Sequence, residues 1–537
     1  MNEDTRNITH PHSKTHDIGL VIGPLLAILT YMMLGDASGL DENGLDENAR
    51  RLAGVTVLMA AWWVTEAVPL AATALLPVVC FPLLGILPVG ETTINYGHKL
   101  IFLFMGGLML GKGLERWGAH KRLALIIILI VGTGPRQIVA GIMLASAILS
   151  GFVSNTATAM MMLPIVLSIG VLAAGDDYEA PQARRFNVCL LLALAYGASI
   201  GGIATITGTP PNGFLAGFLD TDLGIEMSYS RWLRMGIPLT AVMLPISWIY
   251  LVYIAMPVRV EEIPGGRKYI RQRLEALGPM GSAERLSVII FGLTAFMWIT
   301  HGWIESWLQS GPMPNFPKID DSTIAIGGAI LMFMTPTDKT MKTRVLAWSH
   351  AESIPWGVLV LFGGGLALAK GVTSTGLDTW IGMQISSMGN PGELPLMGGV
   401  TTLIVFLTEI TSNTATTSTM LPVLAAVGEG MGIDPTLLVI AAAVSASCAF
   451  MLPVATPPNA IVFASGRISI KQMAMAGLGL NLICIVVITL MVWGLAPRFL
   501  NLQNPNPLPK SGPKDVQTQV DTGLDDRVNA YHPDAES

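Results

Sequence analysis

Two strings of small polar residues stand where almost nothing polar is expected. Ser154-Asn155-Thr156 sits in the middle of residues 137–175, a stretch without Asp, Glu, Lys or Arg, and Ser412-Asn413-Thr414 interrupts the apolar run 395–428 in the same way. Hydroxyl and amide oxygens are neutral, hard ligands suited to an alkali cation such as Na⁺. Backbone N–H groups at a helix start, with the positive end of the helix dipole, suit a carboxylate or another oxyanion. Each string is followed downstream by a Thr-Pro-Pro-Asn motif, at Thr209-Pro210-Pro211-Asn212 and Thr456-Pro457-Pro458-Asn459. Two adjacent prolines remove two backbone donors and break a helix, freeing carbonyls before them and N–H groups after them. Ser, Asn and Thr also cap helices well, and for one copy that role suffices. Two copies, each paired with a proline break, point to a polar cavity at membrane depth, where non-helical backbone is tolerated.

The missing charges are as informative. Across the two polar-tipped segments and the two proline-broken spans the one charged residue is Glu409. An anion held there takes its counter-charge from bound cations and helix ends, so sodium is a structural requirement of anion binding at this site as well as an energy source. Lys112 and Lys370 occupy equivalent positions at the ends of Gly-rich spans and read as snorkelling or helix-capping residues. Glu66 reads as a turn residue between two spans. All three stay outside the candidate site.

The elements that position these residues are membrane helices. Of 537 residues, 51% are hydrophobic and 13% are charged, about half the charge density of a soluble domain. Four cysteines, each inside an apolar run, exclude a disulfide scaffold, and a net charge of −6 gives no footing for a nucleic-acid partner. At about 20 apolar residues per crossing, spans are expected at 18–34, 52–67, 69–86, 100–115, 186–219, 233–257, 286–304, 320–337, 355–372, 436–466 and 473–497. Residues 137–175 and 395–428 are expected as re-entrant hairpins, each of two half-length helices meeting at a polar tip. The fold class is therefore an all-α polytopic membrane protein, with about eleven transmembrane helices plus two re-entrant hairpins.

Lys and Arg crowd the connections around 112–122, 184–185, 259–285, 339–344 and 467–471, which makes that side the cytoplasm. The N-terminus is then inside and the C-terminus outside, in the cell inner (plasma) membrane. The expected organisation is a cytoplasmic polar tail at 1–17, a first span and acidic loop at 18–50, a first repeat at 51–257 with the inner hairpin, a basic linker at 258–285, a second repeat at 286–498 with the outer hairpin, and a disordered outer tail at 499–537.

The repeat is read directly. Leu103 to Gly113 matches Leu361 to Gly371, and Ser154 to Pro164 matches Ser412 to Pro422 at eight of eleven positions, both pairs at an offset of 258. Five crossings lie between the two tips. An odd number inverts one repeat relative to the other, the architecture of secondary transporters with a site at the midplane.

These paired tips and proline breaks resemble the divalent anion/sodium symporter family, which includes sodium/dicarboxylate cotransporters, over about residues 50–498. The resemblance implies a homodimer, with a fixed scaffold and a transport part, made of hairpins and broken spans, that carries the site across the bilayer. It implies one sodium site at Ser150, Ser154, Asn155 and Gly208 and a second at Thr408, Thr411, Asn413 and Ala455. It places the substrate carboxylates at Asn155-Thr156 and Asn413-Thr414, with Thr209-Pro210 and Thr456-Pro457 closing the pocket. The expected function is sodium-coupled symport of a divalent anion, a C4 dicarboxylate such as succinate first, with sulfate or citrate as the alternative. His-Glu-x-x-His and Gly-x-Gly-Asp, signatures of intramembrane enzymes, are absent; no enzyme is expected.

Overall fold

A computed structural model describes residues 14–34, 45–174, 180–260, 263, 265–338, 340–386 and 391–499. The polar N-terminal tail up to residue 13, most of the acidic loop and the C-terminal tail from residue 500 lie outside the described residues. Among the described residues the chain is helical throughout, without a strand; one isolated bridge joins Pro336 and Arg344.

Helices cover all the expected spans, and the departures have local causes. Residues 69–86 form two short helices, Leu70–Thr73 and Leu76–Leu84, with Pro77 near the start of the second and Pro82 inside it. Residues 119–131, read with the cytoplasmic loop because of Lys121 and Arg122, are a helix, Ala119–Val131, entered through Gly118 at φ +75°. Its counterpart 258 residues on is Leu377–Ser386, entered through Gly376 at φ +72°. Only glycine adopts that left-handed turn without steric cost. The basic linker contains a further helix, Gly266–Ala276, which buries Ile270 and exposes Arg267, Lys268 and Arg271.

Among the described residues six helices are long and apolar enough to cross a membrane, and six shorter apolar helices accompany them. The shorter set includes Pro135–Ser150, Glu393–Leu407 and Pro435–Ala446, pieces of the segments that the polar strings and prolines interrupt. Helix Ser282–Ser310 turns Leu293, Phe296, Trp303 and Trp307 outward, a lipid-facing surface with tryptophans toward one end, as in an interfacial belt.

At the centre lies helix Pro181–Gly202, buried along nearly its whole length. Gly197 and Gly201 let its backbone press on helix Pro135–Ser150: a Cβ built at Gly197 would stand 2.6 Å from the Met143 carbonyl oxygen, and one at Gly201 2.2 Å from Ala147 Cα. Small residues four apart that admit a close backbone are how helices pack when lipid replaces water. The two repeats are tied at their breaks by Tyr196, whose hydroxyl donates to the Phe450 carbonyl at 3.1 Å while its ring meets Phe450 edge-on.

Candidate functional site

The polar strings mark helix ends. Helix Pro135–Ser150 stops before the first string and Asn155–Ala174 starts within it; Glu393–Leu407 and Asn413–Gly430 repeat the arrangement. The proline motifs start half-helices Pro210–Thr221 and Pro457–Ala464, with Thr209 and Thr456 extended at φ −145° and −141°. The Asn of each motif staples its break. Asn212 Nδ2 donates to the carbonyls of Gly202 and Thr205 at 3.0 and 2.7 Å, and Asn459 Nδ2 to those of Ala449 and Leu452 at 3.2 and 3.0 Å. Several carbonyls freed by the prolines are therefore already satisfied.

Both tips and both breaks face one cavity of about 900 Å³. Of the residues singled out in the sequence, Ser154, Asn155, Thr156, Gly208, Thr209 and Pro210 line it from the first repeat, and Thr411, Asn413, Thr414, Ala455, Thr456 and Pro457 from the second. Ser150 and Thr408 are buried behind that wall, and each reaches the site through its asparagine. The Ser150 hydroxyl donates to Asn155 Oδ1, and the Thr408 hydroxyl to Asn413 Oδ1 at 2.7 Å. The two pairs are one arrangement, a hydroxyl five residues before the amide oxygen, repeated 258 residues on.

Each pair draws neutral oxygens together. A Cβ built at Gly202 would fall 2.8 Å from Asn155 Oδ1 and 3.2 Å from the Gly208 carbonyl oxygen, so the absence of a side chain there keeps one small space open to both. On the second side the Ala446 carbonyl lies 2.9 Å from Thr408 Oγ1, a second acceptor for that hydroxyl. Capping explains part of the set: Ser154 Oγ accepts from Ala157 N and Thr456 Oγ1 from Asn459 N, both at 3.3 Å. The Thr411 hydroxyl is already paired with Thr416 Oγ1 at 2.6 Å. Among the described residues no group of three His, Cys, Asp or Glu side chains could hold a metal ion.

Comparison with known proteins bears on what such a cavity carries. The family model described as the sodium:sulfate symporter transmembrane region matches residues 24–496. The chain belongs to that family. A sodium-dependent dicarboxylate transporter of Staphylococcus saprophyticus is 42% identical over 498 residues, covering 92% of this chain and 93% of that protein. One of Staphylococcus aureus (strain USA300) is 42% identical over 505 residues, covering 93% and 95%. Among solved structures, the Alcanivorax borkumensis YdaH transporter superposes with a TM-score of 0.54 at 13% identity, over 90% of this chain and 98% of that one. Neisseria gonorrhoeae MtrF gives 0.52 at 9% identity, over 90% and 95%; at such identities the likeness is one of fold. Membership makes the chain a multi-pass membrane transporter rather than an enzyme.

Two features of this family member escaped the sequence reading. Glu409 is buried, and its carboxylate accepts the backbone N–H groups of Phe450, Met451 and Leu452 at 2.7–3.0 Å and Asn481 Nδ2 at 2.7 Å. It holds the second break and consumes three of its donors. Its equivalent 258 residues earlier is Gly151, whose carbonyl accepts from the Thr205 hydroxyl, so the two breaks are secured differently. That Glu/Gly mismatch in otherwise matching repeats was the available signal. The second feature is the wall, which includes Glu66, Lys112 and Glu115. Glu66 has φ 49°, unusual for a residue with a side chain.

Proposed function

We propose that the chain is a sodium-coupled symporter of a divalent anion, with a C4 dicarboxylate such as succinate as its first substrate. The observation that carries this reading is the pair of matched, neutral oxygen sets meeting in one cavity whose tips hold no basic side chain. One sodium ion is assigned to Ser150, Ser154, Asn155 and the Gly208 carbonyl, a second to Thr408, Thr411, Asn413 and Ala455. The substrate carboxylates are assigned to Asn155-Thr156 and Asn413-Thr414, between Thr209-Pro210 and Thr456-Pro457. With the ions bound, the dianion meets positive charge and helix N-termini; without them it would meet only weak dipoles in a site of low dielectric.

The relatives named for sodium-dependent dicarboxylate transport support this choice. Sulfate or citrate is the second reading, sulfate favoured by the family's description and citrate by a cavity larger than a four-carbon diacid fills. The rest follows the inverted repeat. The two polar-tipped segments act as re-entrant hairpins, the mouth lined by Glu66, Lys112 and Glu115 faces the cytoplasm, and the N-terminus lies inside with the C-terminus outside. Hairpins and broken spans move together against a scaffold in a homodimer, an elevator-type alternation.

The test is uptake of labelled succinate into proteoliposomes, with sulfate and citrate as competitors. Uptake requires an inward Na⁺ gradient, and Asn155→Ala and Asn413→Ala each abolish it while the protein still inserts. Uptake indifferent to the gradient refutes sodium coupling, and near-normal uptake by either variant reduces that tip to a structural cap.

A further inference from the structure

Lys112 is the one basic residue among those lining the cavity. It stands beside the first tip: a Cβ built at its neighbour Gly111 would lie 3.0 Å from the Phe152 carbonyl oxygen, two residues before Ser154. On helix Lys99–Arg116 the cavity is lined by Phe104, Leu108, Lys112 and Glu115, one helical face, with the two charged residues toward the helix C-terminus. The ammonium is paired with the Glu115 carboxylate at 2.9 Å, both side chains about a quarter exposed. A pair at that exposure is weak, so another carboxylate can replace Glu115 at little cost. Without Lys112, a departing dianion would pass two carboxylates, Glu66 and Glu115, with nothing opposite in sign.

The inverted repeat supplies a second such residue. Lys370, 258 residues on, lies away from this cavity on helix Trp356–Thr375 and is exposed. The position equivalent to Glu115 is Thr373, whose hydroxyl donates to Asp222 at 3.1 Å, and the Lys370 charge bears on the same carboxyl. Each lysine thus stands near a carboxylate, at equivalent positions of the two repeats.

We propose that Lys112 is a mouth-side carboxylate contact on the route between the cytoplasm and the substrate site, and that Lys370 plays the same part on the opposite face when the site opens there. The proposal rests on the transport reading above and adds to it an anion contact outside the neutral tips. It predicts effects that depend on the face. In inside-out membrane vesicles Lys112→Gln raises the KM for succinate about fivefold, the scale of a partly exposed ion contact, while KM in right-side-out cells and the sodium dependence stay unchanged. Lys112→Arg restores the wild-type value, Glu115→Gln lowers the cytoplasmic KM by freeing the lysine, and Lys370→Gln raises the outer KM alone. Equal changes at both faces, or none, overturn the proposal. Should Lys112→Gln fail to insert, Glu115→Gln decides: a cytoplasmic KM that stays the same or rises overturns it. Wild-type protein that moves no dicarboxylate under any sodium gradient overturns the transport reading itself, a result distinct from unchanged KM values in an active protein.

Discussion

At the scale of single residues, the tips were legible because Ser, Asn and Thr have no reason to interrupt an apolar run unless the backbone breaks there. The partners of those residues were less legible, since they come from elsewhere in the chain. Asn212 and Asn459 were quoted as parts of a motif, yet their task, holding the carbonyls of their own breaks, appears only in three dimensions. Glu409 was visible as a lone charge, but its backbone donors lie 41 to 43 residues away and Asn481 lies 72 away. A buried carboxylate that accepts four hydrogen bonds is matched to its donors, and the amide of a glutamine would turn an N–H₂ toward backbone N–H groups. Glu409→Gln is expected to cost about 3 kcal/mol, read as a lower thermal melting temperature of the purified protein. A melting temperature unchanged from wild type would show that water or rearrangement satisfies the break.

At the scale of elements, the helical segments within the expected spans were legible because length and hydropathy mark them, whereas the short helices between them were not. Ala119–Val131 begins with Lys121 and Arg122, so its first turn carried the loop signal although its body is Ile and Leu. Its match with Leu377–Ser386 shows that the duplication extends through these short helices as well. Beside the second of them lies a seam where the first broken span ends. Asp222, just beyond Pro210–Thr221, accepts from Thr221 and Thr373, and burial outweighs those hydrogen bonds and the Lys370 charge, lifting its carboxyl to about 6. A carboxyl whose pKa is raised on folding binds its proton more tightly in the folded state. Its stabilising effect is therefore full below the ordinary Asp range and lost as pH rises through about 6. Melting temperatures measured from pH 4.5 to 7.5 should fall less steeply with pH in Asp222→Asn than in wild type; parallel curves would remove Asp222 from the seam's energetics.

At the scale of the whole molecule, the proposed alternation calls for two states, and the ion pairs at the far end of a cavity-lining helix bear on their balance. Lys112 and Glu115 line the cavity at the C-terminal end of helix Lys99–Arg116. At the other end, about 20 Å along the axis, Lys99 pairs with Asp220 at 3.2 Å, Glu226 at 3.5 Å and Asp320 at 3.7 Å. Asp220 lies on the first broken span and Lys99 outside the segments assigned to the moving part, so under the proposed alternation these contacts restrain the movement of one against the other. Lys99→Met is expected to shift the population toward the opposite-facing state, seen as faster labelling from outside of a cysteine placed at Thr414. Unchanged labelling would mean that the ion pairs do not bias the equilibrium.

The central claim is that sodium supplies the positive charge the substrate site lacks. The measurement that tests it most directly is the melting temperature of the purified protein with succinate, in sodium chloride and in choline chloride of equal strength. A ligand that binds the folded state stabilises it by about 2.7 kcal/mol at a hundred times its dissociation constant. Succinate should raise the melting temperature in sodium and leave it unchanged in choline, and the sodium effect should vanish in Asn155→Ala with Asn413→Ala. An equal rise in both salts would contradict the account.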